Sequence, residues 1–122
     1  EAKISGKNLV SIWGDGTSRR EFMYAADLAD FIIYSIHHFD CLPEAMNVGV
    51  GHDYSIYDYY KTVAEVVGYK GDFGFDNEKP VGMKRKLVDI SIQKQLGWQA
   101  KTSLADGVRE TYKYYLGKGA KC

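Results

Sequence analysis

The chain has 122 residues, of which 45% are hydrophobic and 14% are aromatic. This length predicts one domain or part of one, and the apolar content is ordinary for a folded protein, which excludes global disorder. Sixteen basic residues balance sixteen acidic ones, so the chain lacks the basic excess that drives phosphate-backbone binding, and we expect no nucleic-acid partner.

The first third of the chain predicts two strands and a helix. Leu9–Trp13 is a short apolar run, and Arg19–Tyr24 alternates polar with apolar residues, so both segments predict strands. A glycine-rich turn, Gly14–Ser18, separates them. Ala25–His38 carries leucine and isoleucine at helical spacing, and a helix this apolar is expected to be buried on more than one side.

The middle of the chain predicts strand, helix and strand. Ala45–Val50 has the composition of a buried strand. Ser55–Asp58 fits a capping box, in which the serine oxygen accepts a hydrogen bond from the first turn of a helix. Gly68 is typical of a helix end, and the alternating segment Gly71–Asp76 predicts the next strand.

The last third predicts a basic loop, a strand and two helices. The loop is Asn77–Arg85, the strand Lys86–Asp89 and the short helix Ser91–Leu96. A second capping box begins at Ser103 and starts the final helix, and the tail Gly117–Cys122 is expected to fray. This order predicts an α/β or α+β fold with a small mixed sheet.

The cellular setting follows from what the sequence does not contain. No apolar run approaches the 18 or more residues of a membrane span, so no membrane partner is expected. There is no signal peptide at the start, and the two cysteines, Cys41 and Cys122, are too few for a disulfide framework. We therefore expect a cytoplasmic protein. Because the chain begins at Glu1, we also expect it to be a piece of a longer protein.

Two short motifs have a structural interpretation that we favour over a catalytic one. Tyr57 and Lys61 match Tyr-x-x-x-Lys, but any tyrosine-rich helix produces that spacing by chance. Gly49–Gly51 resembles the start of a dinucleotide fingerprint, yet Tyr54 stands where the third glycine belongs. We interpret the first as a half-buried helix face and the second as a tight turn.

A possible metal site lies near the end of the first long helix. Its four side chains are His37, His38, Asp40 and Cys41. Adjacent histidines on a helix point about 100° apart, whereas metal ligands must converge. We favour a polar helix end and predict no metal.

Two basic segments are better candidates for a binding site. Trp13 and Arg20 flank the glycine turn, where an indole can stack on a nucleobase and a guanidinium can bind a diphosphate. Lys79–Lys86 is a basic loop that can close on the same anion. The alternative is solvated loop charge, with the tryptophan packed in the core.

These segments occur within a longer pattern. In chain order, the pattern contains Trp13–Phe22, Asp27–Ala29, Met46–Gly49, Ala64–Gly71 and Leu96–Trp98. It resembles the C-terminal part of GDP-L-fucose synthase, an extended short-chain dehydrogenase/reductase of the NAD-dependent epimerase/dehydratase superfamily. The resemblance covers nearly all 122 residues.

The resemblance implies a function for the parent protein. The family enzyme epimerises GDP-4-keto-6-deoxymannose at C3 and C5, then reduces the C4 ketone with NADPH. Its N-terminal Rossmann domain holds the cofactor and the catalytic residues, and it is typically a homodimer. The chain, residues 1–122, is then expected to be a substrate-binding portion that is inactive alone, with no catalytic and no cofactor-binding residues of its own.

The resemblance also implies which residues bind substrate. Trp13 matches the family's tryptophan in the nucleotide pocket, Arg20 its GDP-binding arginine and Lys86 a lysine near the same site. Val81 stands where the family has an aspartate, so Val81 and the nearby Arg85 form a possible substrate loop that differs from the family pattern. The sugar and the base are therefore left open.

Two alternative functions remain. One is a related nucleotide-sugar 4-ketoreductase, epimerase or dehydratase that acts on another sugar, such as a GDP-deoxyheptose. The other is a stand-alone binding module without catalysis. The apolar helix Ala25–His38 argues against the stand-alone module, because alone it would leave an exposed apolar patch.

Overall fold

A computed structural model describes residues 1–119 and arranges them as helices around two small sheets. The helices are α1 (Ala2–Ser5), α2 (Ala25–His37), α3 (Ile56–Val67), α4 (Ser91–Gln95) and α5 (Leu104–Gly119), and Phe39–Cys41 is a single 3₁₀ turn. The strands are β1 (Leu9–Trp13), β2 (Arg19–Arg20), β3 (Tyr54–Ser55), β4 (Asp72–Asp76) and β5 (Arg85–Lys86). None of these helices is long and apolar enough to cross a membrane.

The strands form two sheets where the sequence predicts one. Strands β1 and β4 pair in parallel, from Leu9 opposite Asp72 to Trp13 opposite Asp76. The other sheet has the order β3-β2-β5, in which β2 is antiparallel to β3 and parallel to β5. The predicted α/β class with a small mixed sheet is confirmed, and the mixed sheet is the three-stranded one.

Both predicted capping boxes are present. The Ser55 hydroxyl accepts a hydrogen bond from the Asp58 amide at 2.9 Å and donates one to the Asp58 carboxylate at 2.6 Å. Ser103 and Asp106 repeat this arrangement at the start of α5, at 3.1 and 2.6 Å. Helix α3 ends at Gly68, whose φ of 71° is left-handed and strongly favours glycine.

The buried apolar residues among residues 1–119 are Ile12, Phe31, Ile90 and Trp98, and two of them pack together between α2 and the segment that follows α4. The larger of the two is Trp98, only 4% exposed, whose indole packs edge-on against Phe31 with ring centroids 5.0 Å apart. The Trp98 Nε1 donates a hydrogen bond to Asp30 at 2.8 Å. Asp27, also buried, accepts from the amide and hydroxyl of Thr102 and attaches this segment to the first turn of α2.

Helix α2 is buried on one side only. Within residues 1–119 its buried residues are Asp27 and Phe31, and the apolar side chains of Leu28, Ile32, Ile33 and Ile36 are exposed. The prediction of burial on more than one side is therefore wrong for this chain, and the apolar patch expected of the chain alone is present.

The predicted strand Ala45–Val50 is wrong, because side chains replace the sheet ladder there. The Gln93 side-chain amide pairs with Gly49 like a peptide group, accepting from its N–H at 2.8 Å and donating to its carbonyl at 2.9 Å. The Glu21 carboxylate accepts from the amides of Val50 and Gly51 at 2.5 and 2.6 Å. The segment is hydrogen-bonded without a neighbouring strand.

Two predicted strands also differ from the observed ones by more than one residue. Strand β2 ends at Arg20 and not at Tyr24, and β5 is Arg85–Lys86 and not Lys86–Asp89. The Glu21 carboxylate accepts from the Val88 amide at 3.2 Å, so this amide of the predicted strand Lys86–Asp89 is bonded to a side chain and not to a neighbouring strand. Helix α5 extends to Gly119, and residues 120–122 lie outside the described range, so the fraying expected for Gly117–Cys122 stays a prediction.

Candidate functional site

An open cleft of about 320 Å³ lies where the two sheets meet the first turns of α3. Three of the predicted site residues, Trp13, Arg20 and Val81, line it. Ser18, Ile56 and Tyr60 contribute to its floor and sides. The structure thus brings together an aromatic ring, a guanidinium and the loop residue that departs from the family pattern.

Trp13 forms one wall of the cleft. It is the last residue of β1, and its side chain is 64% exposed, so the alternative of a core tryptophan is wrong. The Lys79 ammonium lies 6.0 Å from the centroid of its ring, within the range of a cation–π contact. An exposed indole at the mouth of a cleft is suited to stacking on a planar ligand.

The turn after Trp13 requires glycine. Gly14 has a φ of 75°, and a Cβ built there would lie 1.8 Å from the Val81 Cγ1. Val81 therefore packs directly on the backbone of the turn and closes the loop after β4 over it. The carbonyls of Gly16 and Ser18 accept hydrogen bonds from the amides of Tyr57 and Ile56, which fix the far side of the turn on α3.

Two cations lie side by side in the three-stranded sheet. Arg20 of β2 is opposite Lys86 of β5 in a parallel register, and adjacent strands are about 4.8 Å apart. The Arg20 Nη1 donates to the Arg19 carbonyl at 2.6 Å. Among residues 1–119 neither Arg20 nor Lys86 forms an ion pair with a carboxylate, so both charges remain available to an anion.

The neighbouring pair, Arg19 and Arg85, is neutralised in part by a carboxylate. Asp53 is only 3% exposed, and its two oxygens accept from the Arg19 Nε at 2.7 Å and from the Arg85 Nε at 2.5 Å. The Arg19 Nη2 also donates to the Asp53 carbonyl at 2.7 Å. The hydrogen bond from Arg85 is the main cause that lowers the pKa of Asp53 below its ordinary value, so the group is ionised at neutral pH.

Arg85, predicted as part of a possible substrate loop, is bound to Asp53 in the structure. Because side chains alternate along a strand, Arg85 lies on the face of Arg19, and Lys86 lies on the face of Arg20. The Nε of Arg85 is already used by Asp53. Of the two adjacent basic candidates, Arg85 forms an ion pair with Asp53, and Lys86 forms no ion pair among residues 1–119.

Three side chains that organise this region were not predicted from the sequence, namely Glu21, Asp53 and Gln93. Each binds partners far along the chain: Asp53 is 34 residues from Arg19, Gln93 is 44 from Gly49, and Glu21 is 67 from Val88. No local spacing rule reports such contacts. Only Glu21 had a signal in the sequence, because it is an acidic residue directly after the basic pair Arg19–Arg20.

The motifs interpreted as structural have ordinary surroundings. The Tyr57 ring contacts Phe75, with centroids 5.6 Å apart, and the Lys61 Nζ lies 5.7 Å from the Tyr57 ring. His38 stacks on Tyr34 and hydrogen-bonds its carbonyl. Across residues 1–119 no group of three or more His, Cys, Asp or Glu side chains is arranged to hold a metal ion.

The chain is similar to curated enzymes over most of its length. It is 52% identical over 114 residues to GDP-L-colitose synthase of Yersinia pseudotuberculosis, and 49% identical over 116 residues to GDP-L-fucose synthase of Azorhizobium caulinodans. These matches cover 93% and 95% of the chain, and 37% of each relative. A model of the NAD-dependent epimerase/dehydratase family matches residues 2–49.

Solved structures show the same fold. A GDP-6-OMe-4-keto-L-xylo-heptose reductase from C. jejuni superposes on 92% of the chain with a TM-score of 0.84 and 36% identity. A GDP-mannoheptose C4 reductase from Campylobacter jejuni, solved with NADP bound, gives a TM-score of 0.78 at 37% identity. The chain covers 35% of each of these structures. The predicted resemblance to GDP-L-fucose synthase and to extended short-chain dehydrogenase/reductases is confirmed, for a chain that spans about a third of its relatives.

Proposed function

We propose that this chain, which resembles the GDP-L-fucose synthases among extended short-chain dehydrogenase/reductases, is the C-terminal, GDP-sugar-binding part of such an enzyme. The observation that carries the proposal is the cleft in which an exposed Trp13 and the cationic Arg20 line the same opening. An aromatic platform and a fixed guanidinium are what a nucleoside diphosphate requires.

The reaction proposed for the parent follows the family. It epimerises GDP-4-keto-6-deoxymannose at C3 and C5 and reduces the C4 ketone with NADPH, as a cytoplasmic homodimer. The part played by this chain is to hold the GDP moiety, so that binding energy far from the reacting carbons orients the sugar. Catalytic groups and cofactor are proposed to come from another part of the parent.

The glycine turn Gly49–Gly51 does not fit the pyrophosphate of NADPH. The turn is the best candidate for that group, since its backbone amides are the donors a phosphate would use. Those of Val50 and Gly51 already donate to the Glu21 carboxylate, which would repel a phosphate from the same place. We therefore assign no cofactor contact to residues 1–119.

A titration with four nucleotides tests the proposal. We expect GDP to bind with at least about tenfold higher affinity than UDP, CDP or dTDP, a difference of about 1.4 kcal/mol, measured by calorimetry. Equal affinity for all four would contradict a GDP-specific site. Binding to none would refute the nucleotide-sugar function of this chain.

A second candidate sugar is supported by the same cleft. Val81 gives the cleft an apolar wall where the family pattern has an acidic one, and a heptose reductase is among the structures that superpose best. A GDP-deoxyheptose is therefore the alternative substrate. Comparing turnover of the 6-deoxyhexose and heptose substrates in the parent enzyme separates the two.

The exposed face of α2 supports the view that this chain packs against more protein. Ile36 is 64% exposed, and Leu28, Ile32 and Ile33 continue the apolar surface. Such a patch is typical of an interface, and we propose that the remainder of the parent covers it. If the chain were instead a stand-alone module, it would remain monomeric in spite of this patch.

We expect the isolated chain to self-associate through this face. Light scattering should report oligomers at tens of micromolar, and the double variant Ile32→Lys/Ile36→Lys should shift the population to monomer, because two buried charges oppose association. Ile4→Lys is the matched control, since Ile4 is 84% exposed in α1 and distant along the chain. A wild-type chain that is monomeric at these concentrations would contradict the proposed interface.

A further inference from the structure

We propose that Asp53 is a positioning residue for the anion site. By bridging Arg19 and Arg85, it fixes β5 against β2 so that Arg20 and Lys86 present an adjacent pair of cations to a diphosphate. This inference rests on the proposed function and adds to it the residue that sets the geometry of the charges.

The bridge reinforces a short strand pairing, which the hydrogen bond from the Val88 amide to Glu21 also supports. Strands β2 and β5 are two residues each, and a hydrogen bond from the Arg19 amide to the Lys84 carbonyl, 2.8 Å long, joins their ends. Asp53 adds a charged hydrogen bond to each strand, from an almost fully buried position just before β3. Charge-assisted bonds of this kind are among the stronger ones in proteins.

The charge balance makes the bridge necessary. All four residues of β2 and β5 are cationic, and Lys84 directly precedes β5. The neighbouring acid Glu21 is directed to backbone amides, so Asp53 is the carboxylate that pairs with side chains here, within residues 1–119. Without its charge, Arg19 and Arg85 would repel each other across the register, and we expect the spacing of Arg20 and Lys86 to change.

The bridge also determines which of the four cationic side chains can bind an anion. The Nε atoms of Arg19 and Arg85 are both used by Asp53 on one face of the sheet. The alternation of side chains places Arg20 and Lys86 on the opposite face. Arg20 lines the cleft beside Trp13, and Lys86 is opposite Arg20 in the register but is not one of the residues that line the cleft. Asp53 thus neutralises the cations of one face, Arg19 and Arg85, and leaves the charges of Arg20 and Lys86 on the other face for an anion.

Calorimetry with GDP and with guanosine tests this role. In Asp53→Asn we expect GDP affinity to fall about tenfold or more, while guanosine affinity stays near wild type. The reason is that the cationic side chains that bind phosphate are displaced, whereas the Trp13 platform for the base is not. Glu110→Gln is the control, since it removes one exposed carboxylate in α5 and changes net charge equally. Asp53→Glu should restore part of the GDP affinity.

Further variants keep the test decisive. Arg85→Gln breaks the same bridge from the other side and should reproduce the loss, and in the double variant with Asp53→Asn the two losses should not add. If Asp53→Asn does not fold, Arg85→Gln alone carries the test. Unchanged GDP affinity in Asp53→Asn, or in Arg85→Gln, overturns the positioning role. A wild-type chain that binds no GDP refutes the proposed function instead, and the positioning role falls with it.

Discussion

Replacing Arg20 with alanine is expected to lower the affinity for GDP by roughly 10- to 100-fold. Hydrogen bonds to charged groups contribute about 1.5–3 kcal/mol, and about 1.4 kcal/mol corresponds to a factor of ten. Arg20 lines the cleft, and no carboxylate among residues 1–119 neutralises it. Its removal therefore takes away a charge that the diphosphate would use. Calorimetric titration with GDP measures the loss.

The control for Arg20 is another arginine that lies away from the cleft. Arg109 forms an exposed ion pair with Asp106 in α5, and Arg109→Ala should leave GDP affinity unchanged. In the parent enzyme, Arg20→Ala should also leave NADPH affinity nearly unchanged, because the cofactor is proposed to bind elsewhere. Equal loss of both affinities would show that Arg20 has a general structural role.

The Trp98→Ala variant is expected to lose about 3–5 kcal/mol of unfolding free energy, which is the range for removing a large buried aromatic side chain. Trp98 is 4% exposed, contacts Phe31 and donates to Asp30, so the change leaves a cavity and an acceptor without its donor. Urea unfolding followed by circular dichroism measures this loss without depending on tryptophan emission.

Trp13→Ala is the matched control for this experiment. It is the same substitution at a residue that is 64% exposed, so it should cost less than about 1 kcal/mol of stability while weakening nucleotide binding. The two tryptophans therefore separate stability from function. Equal destabilisation by both changes would mean that Trp13 is part of the core and not a platform for the base.

Elements with local signals could be predicted from the sequence. The serine–aspartate caps at Ser55 and Ser103 and the glycine end at Gly68 all act within one helical turn, and each appears where the pattern indicates. Strand β1 coincides with its apolar run. The residue types around the glycine turn make Trp13 and Arg20 candidates, the family resemblance implies their binding role, and the structure brings both to one cleft.

The missed features depend on distant partners. Ala45–Val50 has the composition of a strand, but its backbone is satisfied by Gln93 and Glu21, which no pattern in that segment reveals. Asp53 has the same property, since its two arginines are more than 30 residues away on either side. The polar residues that arrange the site were therefore less predictable than those that line it.

The parallel pairing of β1 with β4 has a kinetic consequence. Leu9 pairs with Asp72 and Trp13 with Asp76, so this contact must close a loop of more than sixty residues. Closing such a loop loses chain entropy before the strand contacts can stabilise it, so the pairing is expected to form late during folding. Because Trp13 ends β1 and Val81 follows β4, the cleft exists only after this step. A bound nucleotide would then stabilise the last-formed contact and act as a reporter of completed folding.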